Sequence, residues 1–172
     1  MGQRSQIYIR YNNNGKTKLI GRYFQWNFAE RMVSRARYSI GWILAHRKYL
    51  KHELNHLIKI LEVNFDMHDI VDSMDIGANF TDVENNDGKL FIDIPEKGKI
   101  KYCFSDCNAS KVFNGDEYME FDTENCYEQY MWKNIKDKDK RTCRNIKWIS
   151  KHAQLMTDDE LKEFITTKYE EN

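Results

Sequence analysis

The stretch Tyr23–His46, YFQWNFAERMVSRARYSIGWILAH, is expected to decide the fold. Its first residues are typical of the end of a strand, and the pattern then predicts the longest helix in the chain. Asn27 is a favourable N-cap, and Glu30 completes the N-x-x-E pattern of a capping box. The helix is therefore predicted to begin directly after Asn27.

One face of this helix is predicted to pack into the core. At 100° per residue, seven apolar side chains fall in one broad sector. They are Phe28, Met32, Val33, Ala36, Ile40, Ile43 and Leu44. Roughly opposite lies a stripe of two arginines and two aromatic residues, spaced i, i+4, i+7 and i+11. This basic–aromatic stripe consists of Arg31, Arg35, Tyr38 and Trp42.

The residues before the helix predict a β-hairpin. Apolar and polar side chains alternate over Ser5–Tyr11, and a second strand is expected over Lys18–Trp26. The sequence NNNG at 12–15 favours a tight turn, because Asn and Gly accept a positive φ at low cost. Arg10 and Arg22 lie on these strands and are expected to extend the basic surface.

Further helices are predicted on either side of a β-rich middle. A leucine stripe predicts a helix over Tyr49–Val63, and Phe65–Met74 is expected to be a short third helix or the end of this one. The charge-dense run 133–147 is predicted to be a solvated loop. Thr157 is expected to cap a final helix.

The β-rich middle is expected to add strands to the hairpin. These strands are predicted near Asn79–Val83, Lys89–Ile94, Lys99–Phe104 and Tyr118–Phe121, with turns at 86–88 and 95–98. The order predicts an α+β fold, in which an N-terminal β-hairpin and two central helices precede an antiparallel sheet with helices on one side and a C-terminal helix. Residues 1–172 are expected to form one domain, and a subdivision into 1–75 and 76–172 stays open.

The composition is typical of a folded protein outside the membrane. Charged residues make up 31% of the 172 residues and aromatic residues 13%. No apolar run approaches the about 18 residues of a membrane span, so a cytoplasmic protein is expected. Cys103, Cys107, Cys126 and Cys143 lack the paired spacing of a four-cysteine zinc site, and disulfides are not expected in this compartment. No cofactor is predicted.

A net charge of zero conceals a strong segregation of charge along the chain. Residues 1–60 contain twelve Lys or Arg and two Asp or Glu, whereas residues 61–132 contain five and seventeen. Residues 133–152 are again basic, with eight and two. Either the acidic middle neutralises the basic front, or the two form a bipolar surface with one side for polyanions and the other for a basic protein groove.

The basic–aromatic stripe is the strongest candidate for a binding surface. Arginine pairs with phosphates through two hydrogen bonds, and Tyr or Trp stacks on unpaired bases, which is the chemistry of single-stranded RNA binding. The alternative is that these aromatic rings pack inside the fold and the arginines pair with acids. A second basic cluster is Lys136, Lys138, Lys140, Arg141 and Arg144.

The sequence also contains the metalloprotease pattern H-E-x-x-H at 52–56. Histidines at i and i+4 share a helix face on which they can bind zinc, and the adjacent Glu can activate water. Against this interpretation, His52 and His56 fall on the polar side opposite the leucine stripe, and Lys51 places a cation beside the site. No metal is therefore predicted, and whether the two histidines or the four cysteines bind one stays open.

The N-terminus resembles small proteins carried by phages, plasmids and integrative elements of Gram-positive bacteria. The resemblance rests on the start Met1-Gly2-Gln3-Arg4-Ser5-Gln6-Ile7, on Tyr23–Asn27 (YFQWN) and on Glu30–Tyr38 (ERMVSRARY), and extends over about residues 1–45. Similar cargo genes include anti-CRISPR proteins that disable Cas9 or its guide RNA. The resemblance thus implies a host-defence inhibitor whose partner is Cas9 or its guide RNA.

Three functional hypotheses follow. The first is a Cas9 inhibitor that acts by binding, through the basic–aromatic stripe or through the acidic middle. The second is a hydrolase, either a nuclease that trims RNA or a zincin-like protease. The third is an interaction module of the mobile element without a role in defence.

Overall fold

The computed structural model describes residues 3–50, 73–81 and 86–169 of the chain. Within these ranges six strands form one mixed sheet, and five helices pack around it, which confirms the expected α+β class. The strands are β1 (Arg4–Asn13), β2 (Lys16–Gln25), β3 (Ser73–Asp75), β4 (Asn86–Ile94), β5 (Lys101–Ser105) and β6 (Gln154–Leu155). The helices are α1 (Glu30–His46), α2 (Gly115–Thr123), α3 (Trp132–Ile135), α4 (Lys140–His152) and α5 (Asp158–Thr166).

The N-terminal hairpin forms as predicted. β1 and β2 pair antiparallel along their whole length, from Arg4 beside Gln25 to Asn13 beside Lys16. The two residues between them, Asn14 and Gly15, have φ of 51° and 74°. Such a turn matches the twist of the flanking strands, which explains why the Asn-Gly pair sets the register.

The sheet is mixed, and the expectation of a purely antiparallel sheet was wrong. Its strand order is β3-β2-β1-β4-β5-β6, in which β1 pairs parallel with β4 and β5 pairs parallel with β6. A parallel pair requires a crossover connection, and the chain between β2 and β4 provides it with α1. The two central strands are buried on both faces, as their continuous apolar runs Ile7–Ile9 and Leu90–Ile92 reflect.

Helices cover both faces of the sheet, so the expectation that they lie on one side was also wrong. The core on one face combines β1 and β4 side chains with α1, α2 and α4. On the other face Tyr8 and Phe91 pack with Leu161 and Phe164 of the C-terminal helix α5. The rings of Phe91 and Phe164 meet edge to face, with centroids 5.2 Å apart.

Helix α1 buries most of the predicted apolar face but begins later than expected. Met32, Val33, Ala36, Ile40 and Ile43 are buried, whereas Phe28 is half-buried and Leu44 is exposed. The first helical residue is Glu30, and the N-cap is Ala29.

The predicted capping role of Asn27 was therefore wrong. The Asn27 side chain is fully buried, donates a hydrogen bond to Ser5 Oγ (3.0 Å) and accepts one from Arg35 Nε (3.1 Å). Its carboxamide links the start of β1 to α1 instead of capping the helix. A carboxyl group from α2 takes part in the cap, because Asp122 Oδ2 accepts the Ala29 N–H at 2.7 Å.

Two segments of the C-terminal half are helical where other structure was expected. Residues 118–121 lie in α2, which begins with a capping box formed by Asn114 and Glu117. Most of the run 133–147, expected to be a loop, belongs to α3 and α4, and Asp139 caps α4 by accepting the Thr142 N–H at 3.0 Å. The predicted cap of the final helix is confirmed, since Thr157 forms a capping box with Glu160.

The middle of the chain is described only in part. The predicted helix at 49–63 lies outside the described residues from position 51 onward, as does 65–72 of the predicted third helix. Residues 73–75 form β3 rather than helix, and the described residues 79–81 of a predicted strand form a turn. Residues 86–88, expected to be a turn, belong to β4, whereas 95–98 connect β4 to β5 as predicted.

A buried ion pair joins the two central strands. Arg10 on β1 lies beside Asp93 on β4, and two hydrogen bonds of 2.8 Å, from Nε and Nη2, connect the guanidinium to the carboxylate. Arg10 Nη1 also donates to Glu163 of α5 at 2.8 Å, and the guanidinium stacks over the Phe164 ring. Arg10 therefore connects β1, β4 and α5, and the expectation that it extends a basic surface was wrong.

We expect Asp93→Asn to lower the free energy of unfolding by about 3–5 kcal/mol, because it removes the buried counter-charge of Arg10. Glu163→Gln is the matched control. Since most of the Glu163 side chain is exposed, its loss should cost at most about 1 kcal/mol. Urea unfolding followed by circular dichroism measures both. An equal decrease in the free energy of unfolding for the two variants would show that the β1–β4 pair does not depend on the contact between Arg10 and Asp93.

Candidate nucleic-acid interface

Helices α1 and α4 lie side by side and run in the same direction. Arg37 Nη1 donates a 2.7 Å hydrogen bond to Asn145 Oδ1, and its guanidinium lies over the Trp148 ring, 5.1 Å from the centroid. One turn further along α1, Gly41 faces the same indole. A Cβ built at Gly41 would lie 3.5 Å from the Trp148 ring, which is an ordinary van der Waals distance, so the two helices are in direct contact here.

A basic groove follows the seam between these helices. It has a volume of about 360 Å³. This α1–α4 groove is lined by Ser34, Arg37, Tyr38, Arg141, Arg144 and Asn145. Three of the six lining residues are arginines, and no carboxylate lines the groove among the described residues. Its electrostatic potential therefore favours anions.

The outer surface of α4 continues the positive charge. Lys140, Arg144, Lys147 and Lys151 are exposed and follow the spacing i, i+4, i+7 and i+11. The helix itself contains no acidic residue. At 1.5 Å per residue, this row is about 16 Å long. Such a row can follow a phosphate backbone.

The groove brings together residues that were predicted in two separate stretches. Tyr38 of the basic–aromatic stripe and Arg141 and Arg144 of the second basic cluster line the same groove. Tyr38 is 37% exposed, so part of its ring remains accessible. Lys140 lies at the start of α4, on the outer row.

Arg31 and Trp42 lie on α1 outside the groove lining. The Arg31 guanidinium lies 5.1 Å from the centre of the Phe28 ring and donates to the Trp26 carbonyl. Trp42 is half-buried and stacks on the His46 ring, with centroids 4.4 Å apart. The two residues therefore lie at opposite ends of the stripe on α1.

Two further predicted residues are buried, contrary to the expectation of a continuous basic surface. Arg35 is only 2% exposed and stacks over Phe24, where its Nε donates to Asn27. Arg22 is buried in β2 and pairs with Asp75 of β3 at 2.6 Å. Both guanidinium groups therefore hold elements of the fold together.

Sequence reasoning missed Arg37, Ser34 and Asn145. Arg37 falls off the predicted stripe, and its role depends on Trp148, which is remote in sequence. One signal was available: the run 140–152 contains five Lys or Arg and no acid, with Cys143, Ile146 and Ile149 at helical spacing. That pattern indicates a helix with a basic outer face rather than a loop.

A pair of carboxyl groups fixes the start of α1. Asp122 accepts hydrogen bonds from the Ala29 N–H and from the Tyr118 hydroxyl (3.4 Å), and it is hydrogen-bonded to Asp87. Asp87 in turn accepts the Arg4 N–H at 2.8 Å. Burial, together with the charge of Asp87, raises the pKa of Asp122 to about 9. The pair therefore retains a proton at neutral pH.

No metal site is formed by the described residues. They contain no group of three or more His, Cys, Asp or Glu placed to hold a metal ion. The four cysteines, all of them described, form no disulfide. The metal candidates His52 and His56 lie outside the described residues.

Comparisons with known proteins add no relative. No family model, no curated protein and no solved structure matches the chain. Among the helices of the described ranges, none combines the length and the apolar character that a membrane crossing requires.

We expect the free energy of unfolding to fall less steeply with pH in Asp122→Asn than in the wild type. The folded pair keeps a proton that the unfolded chain releases above its ordinary carboxyl pKa near 4, so stability decreases as the pH rises from about 4 to about 9. Asparagine retains an acceptor for the Ala29 N–H but does not titrate. The difference in slope should approach 1.4 kcal/mol per pH unit at most.

Urea unfolding at pH 5, 7 and 9 measures this slope. Asp137→Asn is the matched control, because Asp137 is exposed and the charge change is the same. If the Asp122 and Asp137 variants have the same slope, the carboxyl pair does not hold the extra proton.

Proposed function

We propose that this protein is an accessory protein of a mobile genetic element that inhibits Cas9 by binding its guide RNA. The proposed location is the cytoplasm of the bacterial host. The resemblance of residues 1–45 to small phage and plasmid proteins supports the biological setting. The α1–α4 groove supports RNA as the ligand.

The observation that carries the proposal is the placement of Arg37, Arg141 and Arg144 in one groove. A guanidinium group donates two parallel hydrogen bonds to a phosphate and stays charged at every physiological pH. Arg37 is held in place by Asn145 and by the Trp148 ring. A positioned arginine loses less conformational entropy on binding than a flexible one.

Tyr38 favours a single-stranded segment over a duplex. Its partly exposed ring lies in the same groove as the arginines. Stacking of an unpaired base on such a ring contributes about 1–3 kcal/mol. Bases inside a duplex are already stacked and present only their edges. A guide RNA offers the unpaired nucleotides that this arrangement fits.

A binding mechanism requires nothing beyond the groove and the basic row on α4. The zincin-like form of the hydrolase hypothesis depends on His52 and His56, which lie outside the described residues. The hypothesis of an interaction module without a role in defence makes no use of Cas9. An assay that contains Cas9 and reports on the DNA, the RNA and the integrity of the Cas9 chain separates the three hypotheses.

We expect Arg141→Glu/Arg144→Glu to weaken the binding of single-stranded RNA by roughly tenfold or more, since each lost charged hydrogen bond is worth about 1.5–3 kcal/mol. The slope of log K against log salt should also become shallower by about 1–2. Fluorescence anisotropy of a labelled oligonucleotide at several salt concentrations measures both effects.

The control Lys16→Glu/Lys18→Glu makes the same change in charge at exposed positions of β2. It should leave the affinity nearly unchanged. If both double variants weaken binding equally, the net charge of the protein rather than the groove determines affinity. Circular dichroism spectra of both variants verify that the fold is intact.

Inhibition is tested by mixing the protein with Cas9, guide RNA and target DNA and resolving both nucleic acids on one denaturing gel. Uncut DNA with an intact guide is expected for the wild type, and cut DNA for the groove variant. Uncut DNA with a shortened guide would instead indicate a nuclease. Cut DNA with the wild-type protein would contradict a role in Cas9 inhibition.

A further inference from the structure

A second cavity lies at the N-terminal ends of α1 and α4, next to the groove. It has a volume of about 610 Å³, within the usual range of ligand sites. We call it the tyrosine pocket, defined by Phe28, Glu30, Asp122, Tyr127, Tyr130 and Asp139. No Lys, Arg or His lines it among the described residues.

Two tyrosines of this pocket are exposed although the segment that carries them is anchored. Tyr127 is 81% and Tyr130 is 57% exposed. The Tyr130 N–H donates to the Tyr127 carbonyl at 2.7 Å, and Asn134 Nδ2 donates to the Glu128 carbonyl at 2.7 Å. The turn therefore fixes the backbone that carries both tyrosines.

The anchor of this segment is Trp132. Its side chain is buried, and its indole N–H donates to Asp116 Oδ1 at 2.7 Å. Its backbone N–H donates to Thr123 Oγ1 at 2.8 Å. Because Trp132 fixes this short segment to the core, Tyr127 and Tyr130 stay at the surface. Exposed aromatic side chains of this kind are typical of interaction sites.

Carboxyl groups line the same pocket as the two tyrosines. Glu30 is exposed at the start of α1, and Asp139 is fixed at the start of α4 by hydrogen bonds to the Thr142 N–H and hydroxyl. Asp122 lies deeper in the pocket and shares a proton with Asp87. Glu30 and Asp139 therefore provide the negative charge near the mouth of the pocket.

We propose that the tyrosine pocket binds an arginine side chain of a partner protein. Aromatic faces and carboxylates both attract a cation, and only a planar guanidinium can stack on a ring while it donates several hydrogen bonds in its plane. A lysine ammonium fits the charge but not the stacking geometry. Charge complementarity disfavours a phosphate in this pocket, since every ionisable side chain in the pocket definition other than tyrosine is acidic.

The pocket and the groove are close together. Glu30 of the pocket and Ser34 of the groove are one helical turn apart, which corresponds to about 6 Å along the axis. A partner that presents an arginine beside a phosphate fits both sites at once, as the surface of a protein–RNA complex does. The arginine proposal rests on the pocket alone and does not require that the groove binds RNA.

The test uses the 172-residue chain and a fluorescent peptide with three arginines separated by Gly-Ser, compared with the same peptide in which citrulline replaces arginine. Citrulline keeps the planar shape and loses the charge. We expect the arginine peptide to bind at least tenfold more tightly. A lysine version should bind with intermediate affinity. Equal affinity of the arginine and citrulline peptides would overturn the proposal.

Variants assign the binding to the pocket. Tyr127→Ala/Tyr130→Ala and Glu30→Gln should each weaken the binding of the arginine peptide severalfold or more. All three positions are exposed, so the substitutions leave the core unchanged. Tyr49→Ala is the matched control, because Tyr49 is an exposed tyrosine just beyond the other end of α1. Loss of binding in the Tyr49 variant, or full binding in the pocket variants, would contradict the proposed site.

A cross-comparison separates this proposal from the proposed function. Arg141→Glu/Arg144→Glu should retain binding of the arginine peptide, while the pocket variants should retain binding of single-stranded RNA. If the pocket variants lose binding of RNA and retain binding of the peptide, the tyrosine pocket binds a nucleotide and the arginine proposal is wrong. Failure of the groove variant to affect RNA would contradict the proposed function and leave the pocket unaffected.

Discussion

The parallel pairing of β1 with β4 is the constraint on which the rest of the structure depends. The two central parallel strands present apolar side chains on both faces of the sheet. Both faces must therefore be covered by helices. This requirement places α1, α2 and α4 on one face and α5 on the other. It also buries Arg10 and Asp93 side by side, so their charges can be tolerated only as a pair.

The candidate interface follows from this arrangement. With α1 packed on the sheet through Met32, Val33 and Ile40, its outer side is left for α4. The stacking of Arg37 over Trp148 and the hydrogen bond from Arg37 to Asn145 then hold α4 against α1. A groove with arginines from two helices results. Neither helix alone contains enough of these residues to form it.

Local signals in the sequence predicted much of the fold. The Asn14-Gly15 turn and the Thr157 capping box depend on neighbouring residues only, and both were predicted. The cap at Asn27 was mispredicted because Ser5 and Arg35 offer its side chain buried partners that no local pattern reveals. The burial of Arg10 depends on Asp93 in the same way.

The predicted site was incomplete for the same physical reason. Tyr38, Arg141 and Arg144 could be selected by residue type, because arginine and tyrosine suit phosphate and base contacts. That they share one groove depends on the packing of α1 against α4. The parallel pairing of β1 with β4, and the helix at 140–152, were the two features needed to predict it. The helix was obscured by its high density of charge.

The burial of individual charges explains how a chain of zero net charge can present a basic surface. Arg10 and Arg22, from the basic front, pair with Asp93 and Asp75, from the acidic middle, so these charges cancel inside or at the edge of the sheet. Asp122, also from the acidic middle, accepts the Ala29 N–H at the start of α1. Helix α4, within the basic segment 133–152, has exposed lysines and arginines on its outer side instead, since its apolar side chains face the core. Neutralisation of the front by the middle and a bipolar surface are thus compatible, because they involve different residues.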